Sequence, residues 1–566
     1  MNTIDITKHG ISNDGSPIST ALWALIDSAP DNTELLFPAG RYFLDRAIEV
    51  RGKNNLTIRG EGAVLITHFT PWNDPSENNN GFDFRECSNI EIQGFTCTTD
   101  NPSSCAGRVI AKDEAACTYD VKINEQFPIT GMEHFWGTDT CDEEGTPDYV
   151  IETYDRIVRE TVLDENGNER EKIIGTRYTH LGGNVIRVQM PDGFDLSRLT
   201  IGHRVLYRYA IYSSTLFTFA NCHTVALRHI EIERCTSMGA VISPRCSDFT
   251  FEDFNIRSPK DSHALYAANA DGIHIIGLSG YLHMKDCKFE GLGDDALNIH
   301  SQAGEISAYD EAAGTIDCIY RNRDMSVGYL NPRWAESGDM INVYDRETFL
   351  QKGTITISDY QNGTCIIESY TGEFAPGDIL ANDTFFASVH LENCEVRHTR
   401  ARGFLFQSRN MLIENCRIYG MSLPGIIISP DVRVWYEVGP SRNVEIRNCT
   451  FEKCGINGSS ANLGAIVVKA AHDRAGDAYP AGVHSDIRIH DNLFKNCGNS
   501  GIFVSATDGV QIYGNRFENC GMLRFDKNVE STAYDIALRN CRSIEIGENR
   551  TDKDSAYLVY EDNCTK

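Results

Sequence analysis

The sequence predicts an all-β chain wound as a right-handed parallel β-helix with two inserted small β-barrel-like domains. Three observations carry that prediction. A short phrase recurs with a unit of about 22 to 24 residues, as from Cys394 to Cys416 and from Asn492 to Asn515, with longer excursions such as Cys416 to Cys449. A second ladder of alternating apolar residues trails it by about nine residues, and no apolar stripe of 3.6-residue period separates the copies. Strands this short cannot bury a face alone, so each copy must stack on the next.

The phrase is two alternating apolar residues, a polar pair, then Cys or Asn. It reads Met284-Lys285-Asp286-Cys287, Leu391-Glu392-Asn393-Cys394, Ile413-Glu414-Asn415-Cys416, Ile446-Arg447-Asn448-Cys449, Ile489-His490-Asp491-Asn492, Ile512-Tyr513-Gly514-Asn515 and Ile546-Gly547-Glu548-Asn549. Degenerate copies end at Glu61, Phe95, Ile230 and Phe254. The second ladder is a small residue followed by apolar, any, apolar: Gly272-Ile273-His274-Ile275, Ala296-Leu297-Asn298-Ile299, Gly403-Phe404-Leu405-Phe406, Gly425-Ile426-Ile427-Ile428, Ala465-Ile466-Val467-Val468 and Gly501-Ile502-Phe503-Val504. The repeat lapses from about 103 to 213 and from about 302 to 384, where strand-like alternation continues without the phrase. This divides the chain into an N-terminal cap and first coils (1–102), an inserted β domain (103–213), a central β-helix (214–301), a second inserted β domain (302–384) and the C-terminal coils (385–566). The segment Thr33-Glu34-Leu35-Leu36-Phe37-Pro38-Ala39-Gly40-Arg41-Tyr42, with a short helix before it, is expected to cap the open end.

Of 566 residues 41% are hydrophobic and 23% charged, and 80 acidic against 52 basic side chains leave a net charge of −28. That field repels polyanions, and no basic run overrides it, so nucleic acid is not an expected partner. No stretch of 18 apolar residues is present, so no membrane partner is expected either. The 19 cysteines contain no CxxC pair and no zinc spacing; at strand ends such as Cys287 and Cys449 they read as small buried hydrophobes. Free thiols and a first segment without leader features give the expectation of a cytoplasmic location, unless a leader has been removed. Oligomeric state is not legible.

The chemistry gathers where the second ladder turns acidic. Gly272 and Ala296 are one coil of 24 residues apart, so Asp271 and Asp295 should stack about 4.8 Å from each other. Asp294 lies beside them, and Arg402 takes the same rung of the next coil once the second insert is looped out. Ile273, Leu297 and Phe404 point inward by alternation, leaving His274, Asn298, Leu405, His300 and Gln407 on a polar outer wall. Crowded carboxylates resist joint ionisation, which raises one pKa and leaves another group ionised, the pairing that general acid–base work needs. A structural ion pair with Arg402, or a ladder of turn-capping aspartates, is the alternative. His274, His283 and His300 could in principle join the aspartates on a metal, but no HxH or HxxxH spacing supports it; neither metal nor cofactor is expected. The loop from Ser429 to Pro440 carries Trp435, Tyr436 and Glu437, either a platform for a sugar face or simple cover for the solenoid.

Asn269-Ala270-Asp271-Gly272 and Gly293-Asp294-Asp295 resemble the signatures of the pectin-lyase-like β-helix glycosidases. Polygalacturonases share that pattern, but their GHG and RIK strings do not occur here, which disfavours a uronate polymer. The closer resemblance is to glycoside hydrolase family 110, the exo-acting α-1,3-galactosidases, in Asn269 to His300, the FPAGRY start, the two interruptions and the Trp435-Tyr436-Glu437 loop. That resemblance implies inverting hydrolysis of terminal α-1,3-linked galactose on blood-group-B-type branched glycans or linear Gal-α-1,3-Gal. It assigns Asp294 as general acid, Asp271 and Asp295 as the pair activating water, and, more loosely, Asn298, His300, Arg402, Trp435 and Glu437 to substrate; His274 and Gln407, outward-facing by alternation, are expected to join them. Inversion leads us to expect carboxyl groups about 6.5–9.5 Å apart. A non-catalytic carbohydrate-binding solenoid and a calcium-dependent lyase or epimerase are the competing readings; the clustered aspartates count against the first and the absence of a basic rung against the second.

Overall fold

The computed structural model describes all residues except 69–80, 128–135, 142–146, 152–157, 164–168, 175–176, 191–193, 198, 209–211, 213, 322–326, 329, 433–434, 457–462, 471–478 and 523–529. The repeat phrase is the corner of each coil. Its second polar residue adopts the left-handed conformation, with φ of 55° at Asp286 and Asn393, 57° at Asn415 and 56° at Asp491. Asp, Asn and Gly tolerate that region, which turns the chain between two strands of one large parallel sheet and drops the following Cys or Asn inward. The strands Leu278–Lys285 and Lys288–Leu292, then Phe386–Glu392 and Glu395–Thr399, show the pattern, each pairing in parallel with its counterpart one coil away.

The second ladder forms the opposite wall. Parallel strands run from Ile48–Arg51 through Ile273–Ile276, Leu297–Gln302, Phe404–Phe406 and Ile426–Ile428 to Val559–Asp562. Its small leading residue has a steric cause: a Cβ on Gly272 would lie 2.6 Å from the Ala296 carbonyl oxygen, and one on Gly403 2.4 Å from that of Gly425. Between the walls lies a continuous core of Ile, Val, Leu, Phe and Cys. Phe451, Phe494 and Phe517 stack coil on coil with ring centroids 5.0 Å apart. The helix Ser19–Ser28 buries Leu22 and Ile26 against the first coils and closes that end.

The residues from Gly304 to Asn382 form a closed antiparallel barrel of six strands around Trp334, Ile341, Val343 and Ile355, with the short strand Val327–Gly328 added to its edge. Between Ser104 and Arg208 the described strands form a seven-stranded antiparallel order and a separate hairpin. Their core takes in Leu265 and Tyr266 from the β-helix itself. The cysteines from Cys87 to Cys117 and from Cys222 to Cys564 are free thiols, all buried except the half-buried Cys564.

Candidate active site

Ladder register fixes the site. Ile273 pairs with Leu297 and Leu297 with Phe404, so Asp271, Asp295 and Arg402 occupy one rung on three successive coils. Asp271 Oδ1 accepts the backbone N–H of Asp295 at 2.9 Å, and Asp295 Oδ1 accepts that of Arg402 at 2.9 Å. Arg402 closes on Asp295 with Nε at 2.7 Å from Oδ1 and Nη2 at 2.5 Å from Oδ2. Asp295 thus receives three charge-assisted or backbone donors and is fully buried. Asp294, the next residue, turns the other way: its carboxylate is 3.8 Å from Arg402 Nη2 and keeps 27% of its side chain exposed, against 0% for Asp295.

Burial and the charge of Asp271 push the Asp294 carboxyl above the usual range. Burial, outweighing Arg402 and joined by the charge of Asp294, pushes Asp295 up to about 7. Neighbouring acids in this position share a proton. Three N–H groups aimed at Asp295 are best satisfied by an anion, which leaves the shared proton on Asp294.

On the opposite side His274 Nδ1 lies 2.7 Å from Asp271 Oδ2, and its Nε2 lies 3.2 Å from His300 Nε2. His300 Nδ1 donates to the Ser301 carbonyl at 3.2 Å, so its Nε2 is the acceptor and His274 must donate from both nitrogens. The electrostatics agree: against burial, the hydrogen bond to Asp271 holds the His274 pKa up, while burial pulls that of His300 down. The site therefore places two cations, Arg402 and His274, against Asp271 and Asp295.

These groups line a cavity of about 390 Å³ together with Asn298, Trp435 and Glu437. Asn298 Oδ1 is buried without a protein partner and can accept a ligand hydroxyl. His300 and Gln407 stand behind the wall: Gln407 donates to Glu437 Oε2 at 3.0 Å and orients it. The aromatic loop divides its duties. Trp435, 47% exposed, borders the cavity, whereas Tyr436 is buried and donates to Glu305 of the second insert at 3.0 Å. Arg433 and Val434 of that loop lie outside the described residues.

Sequence reasoning passed over Arg400, Ser429, Asp431 and Lys469, which also line the cavity. Ser429 and Lys469 each follow the last apolar residue of a ladder string, so reading one residue past Ile428 and Val468 would have found them. Arg400 and Asp431 carried no periodic signal. His283 is not part of the site; it stacks on His390 of the large sheet, ring centroids 5.0 Å apart.

One distance departs from expectation. Oxygen atoms of Asp271, Asp294 and Asp295 all lie within 4.8 Å of one another, a tighter group than the about 6.5–9.5 Å carboxyl separation expected for inversion. The cause is the ladder itself: Asp271 and Asp295 each reach along the solenoid axis to the next coil's N–H instead of diverging, and Asp294 is the chain neighbour of Asp295. These are also the described residues best placed to surround a metal ion. The oxygens of Asp271 and Asp295 are engaged by Arg402, His274 and backbone N–H groups, which bring positive charge to these two carboxylates.

Comparison with known proteins agrees with this architecture. Residues 338–486 match the family model described as right handed beta helix region. The chain is 22% identical over 551 residues to alpha-1,3-galactosidase A of Shewanella woodyi, covering 90% of this chain and 85% of that one. It is 23% identical over 565 residues to alpha-1,3-galactosidase B of Bacteroides thetaiotaomicron, covering 92% and 86%. The chain is a glycoside hydrolase homologous to them. Among solved structures the hydrolase is similar to the family 28 exopolygalacturonase of Yersinia enterocolitica, at TM-score 0.42 and 12% identity over 100% of this chain and 78% of that one.

Proposed function

We propose that the hydrolase removes terminal α-1,3-linked galactose from blood-group-B-type branched glycans and linear Gal-α-1,3-Gal, acting from the chain end and with inversion. The relatives named alpha-1,3-galactosidase support the sugar and linkage. A cavity of about 390 Å³, at the small end of ligand pockets, suits an end residue better than the interior of a polymer.

The observation that carries the mechanism is the commitment of the two buried carboxylates. Asp295 gives Oδ1 to the Arg402 N–H and Nε and Oδ2 to Nη2; Asp271 gives Oδ1 to the Asp295 N–H and Oδ2 to His274. Oxygens held this way are poor covalent nucleophiles but remain good acceptors for a water hydrogen. Asp294 alone retains an exposed, protonated carboxyl. Asp294 then protonates the glycosidic oxygen as the C1–O bond breaks, and a water oriented by Asp271 and Asp295 attacks C1 from the opposite face, passing its proton to that pair. Arg402 and His274 keep the pair ionised until the water's proton arrives. Asn298, Glu437 and Trp435 hold the sugar.

Incubation with linear Gal-α-1,3-Gal and with its α-1,2-fucosylated counterpart, followed by measurement of free galactose, tests the substrate. Release from either supports the proposal; release from neither, with a β- or non-galactosidic substrate cleaved instead, contradicts it. Activity should persist in EDTA, whereas a calcium-dependent lyase would stop.

A further inference from the structure

The first insert leaves and rejoins the β-helix at the catalytic turns. At its exit Arg208, the last residue of the strand Arg204–Arg208, is a long cationic side chain only 1% exposed. Its Nη1 donates to the carbonyl of Asn269 at 3.1 Å and to that of Gly293 at 3.3 Å. Those carbonyls are not random acceptors. Asn269 and Gly293 are one coil apart in the same register as Asp271 and Asp295, two residues before Asp271 and one before Asp294. At its entry, Ser103 accepts the Asn269 side-chain amide through its carbonyl at 2.8 Å and its Oγ at 2.9 Å. Gly293 leaves room for the arrangement, since a Cβ there would stand 2.1 Å from the Asn269 oxygen and 3.1 Å from Arg208 Nη1. Leu265 and Tyr266, which lead into Asn269, are buried in the core of the insert.

We propose that Arg208 is a positioning residue that clamps the two catalytic turns to each other and to the first insert, setting where Asp271 and Asp294 stand. One guanidinium bridging the two turns fixes their spacing as a single backbone hydrogen bond could not, and its positive charge bears on the Asp294 carboxyl. Burial and Asp271 push that carboxyl up, and Arg208 opposes them with a weaker pull than Arg402 and Arg400. The inference rests on the acid role given to Asp294 above. It assigns the first insert a function in the reaction, because the clamp is its own strand end.

Two variants test it, Arg208→Met and Arg208→Lys. In R208M, kcat should fall about 10- to 100-fold, the size of effect that a misplacement near 1 Å produces, with KM within about threefold. The alkaline limb of the kcat profile, where Asp294 loses its proton, should move to higher pH because a nearby cation is gone. R208K keeps the charge and loses the fork, so its limb should stay in place while kcat recovers only in part. Hydrogen–deuterium exchange at residues 267–272 and 291–296 should rise in R208M while coils beyond residue 440 stay protected, a readout independent of turnover. The proposal is overturned if both variants keep wild-type kcat and limb, if R208M loses kcat without moving the limb, or if exchange at the two turns is unchanged. If R208M does not fold, R208K decides: normal kcat and normal exchange overturn the clamp. A wild type that cleaves no α-galactoside sinks the substrate reading alone, and the exchange comparison still judges Arg208.

Discussion

The catalytic coils and the C-terminal coils use one device with two chemistries. In the C-terminal coils Asn515 Oδ1 accepts the backbone N–H of Asn492 at 3.0 Å, and Asn549 Oδ1 accepts that of Asn515 at 3.0 Å. Their side-chain amides continue the line, Asn492 Nδ2 to Asn515 Oδ1 at 3.1 Å and Asn515 Nδ2 to Asn549 Oδ1 at 3.0 Å. In the catalytic coils Asp271 and Asp295 also accept a neighbouring coil's N–H, at 2.9 Å each, but that of the following coil where the asparagines take that of the preceding one. An amide both donates and accepts, so a stack of asparagines satisfies itself and is neutral. A carboxylate only accepts, so stacked aspartates repel and require cations from outside the stack, here Arg402 and His274. The same inter-coil contact is thus self-sufficient with Asn, whereas with Asp it needs outside cations, and Asp271 and Asp295 hold the ladder together as well as taking the water-activating role proposed for them.

The largest expected effect lies with the acid that stands outside the stack. Asp294→Asn should lower kcat on natural glycans about 10³-fold, because an amide cannot protonate the leaving oxygen, while binding of galactose by calorimetry stays near wild type. Near-normal turnover would remove Asp294 from the role. The same variant should be at least as heat-stable as wild type, since it deletes a carboxyl whose ionisation the folded site opposes.

Next comes the counter-charge. Arg402→Met leaves Asp295 buried and uncompensated, which should cost on the order of 3 kcal/mol in denaturant unfolding and abolish activity. By contrast Asn515→Ala, in the neutral ladder, should cost about 2 kcal/mol for its orphaned partners with kcat unchanged. Equal loss of activity in both variants would mean that the two stacks do the same work.

The pH dependence separates the stacks further. The Asp294–Asp295 pair is raised in the folded state, Asp295 to about 7, so the folded site holds a shared proton, carried by Asp294, that the unfolded chain releases in the ordinary carboxylate range. Its contribution to stability is present in full below the unfolded value and is lost as pH rises through about 7, levelling off above. Glu305 has the opposite sign: against burial, Arg321 and Arg346 hold it down to about 2, so its contribution is lost as pH falls from the usual carboxylate range towards that value. Thermal melts across pH 4–8 should decline towards pH 7 in wild type and flatten in D294N, which breaks the proton sharing. The smallest effect is expected at the rim, where Trp435→Ala should raise KM severalfold with little change in kcat.

Much of this was legible in the sequence because a solenoid repeats its geometry. Once Gly272 and Ala296 are put in register, Asp271 and Asp295 must meet, and Ile273, Leu297 and Phe404 must point to the core. Arg402 was recoverable because the small residue after it, Gly403, marks the rung even across an insert of some eighty residues. What was not legible is side-chain direction within the rung. That Asp271 and Asp295 reach along the axis, so that they crowd with Asp294 within 4.8 Å, follows from hydrogen bonds that spacing does not encode. Asp431 and Arg400 come from turns with no period, and the split between Trp435 and Tyr436 depends on where the second insert sits.

Committed carboxylates that steer water and do not attack the sugar dictate the configuration of the first-formed product, which tests the proposed mechanism most directly. Proton NMR of a fresh digest of Gal-α-1,3-Gal should show β-galactose appearing first and α-galactose only through later mutarotation. α-Galactose at the earliest time points would mean that one of the three aspartates forms a covalent intermediate, and the central claim would fail.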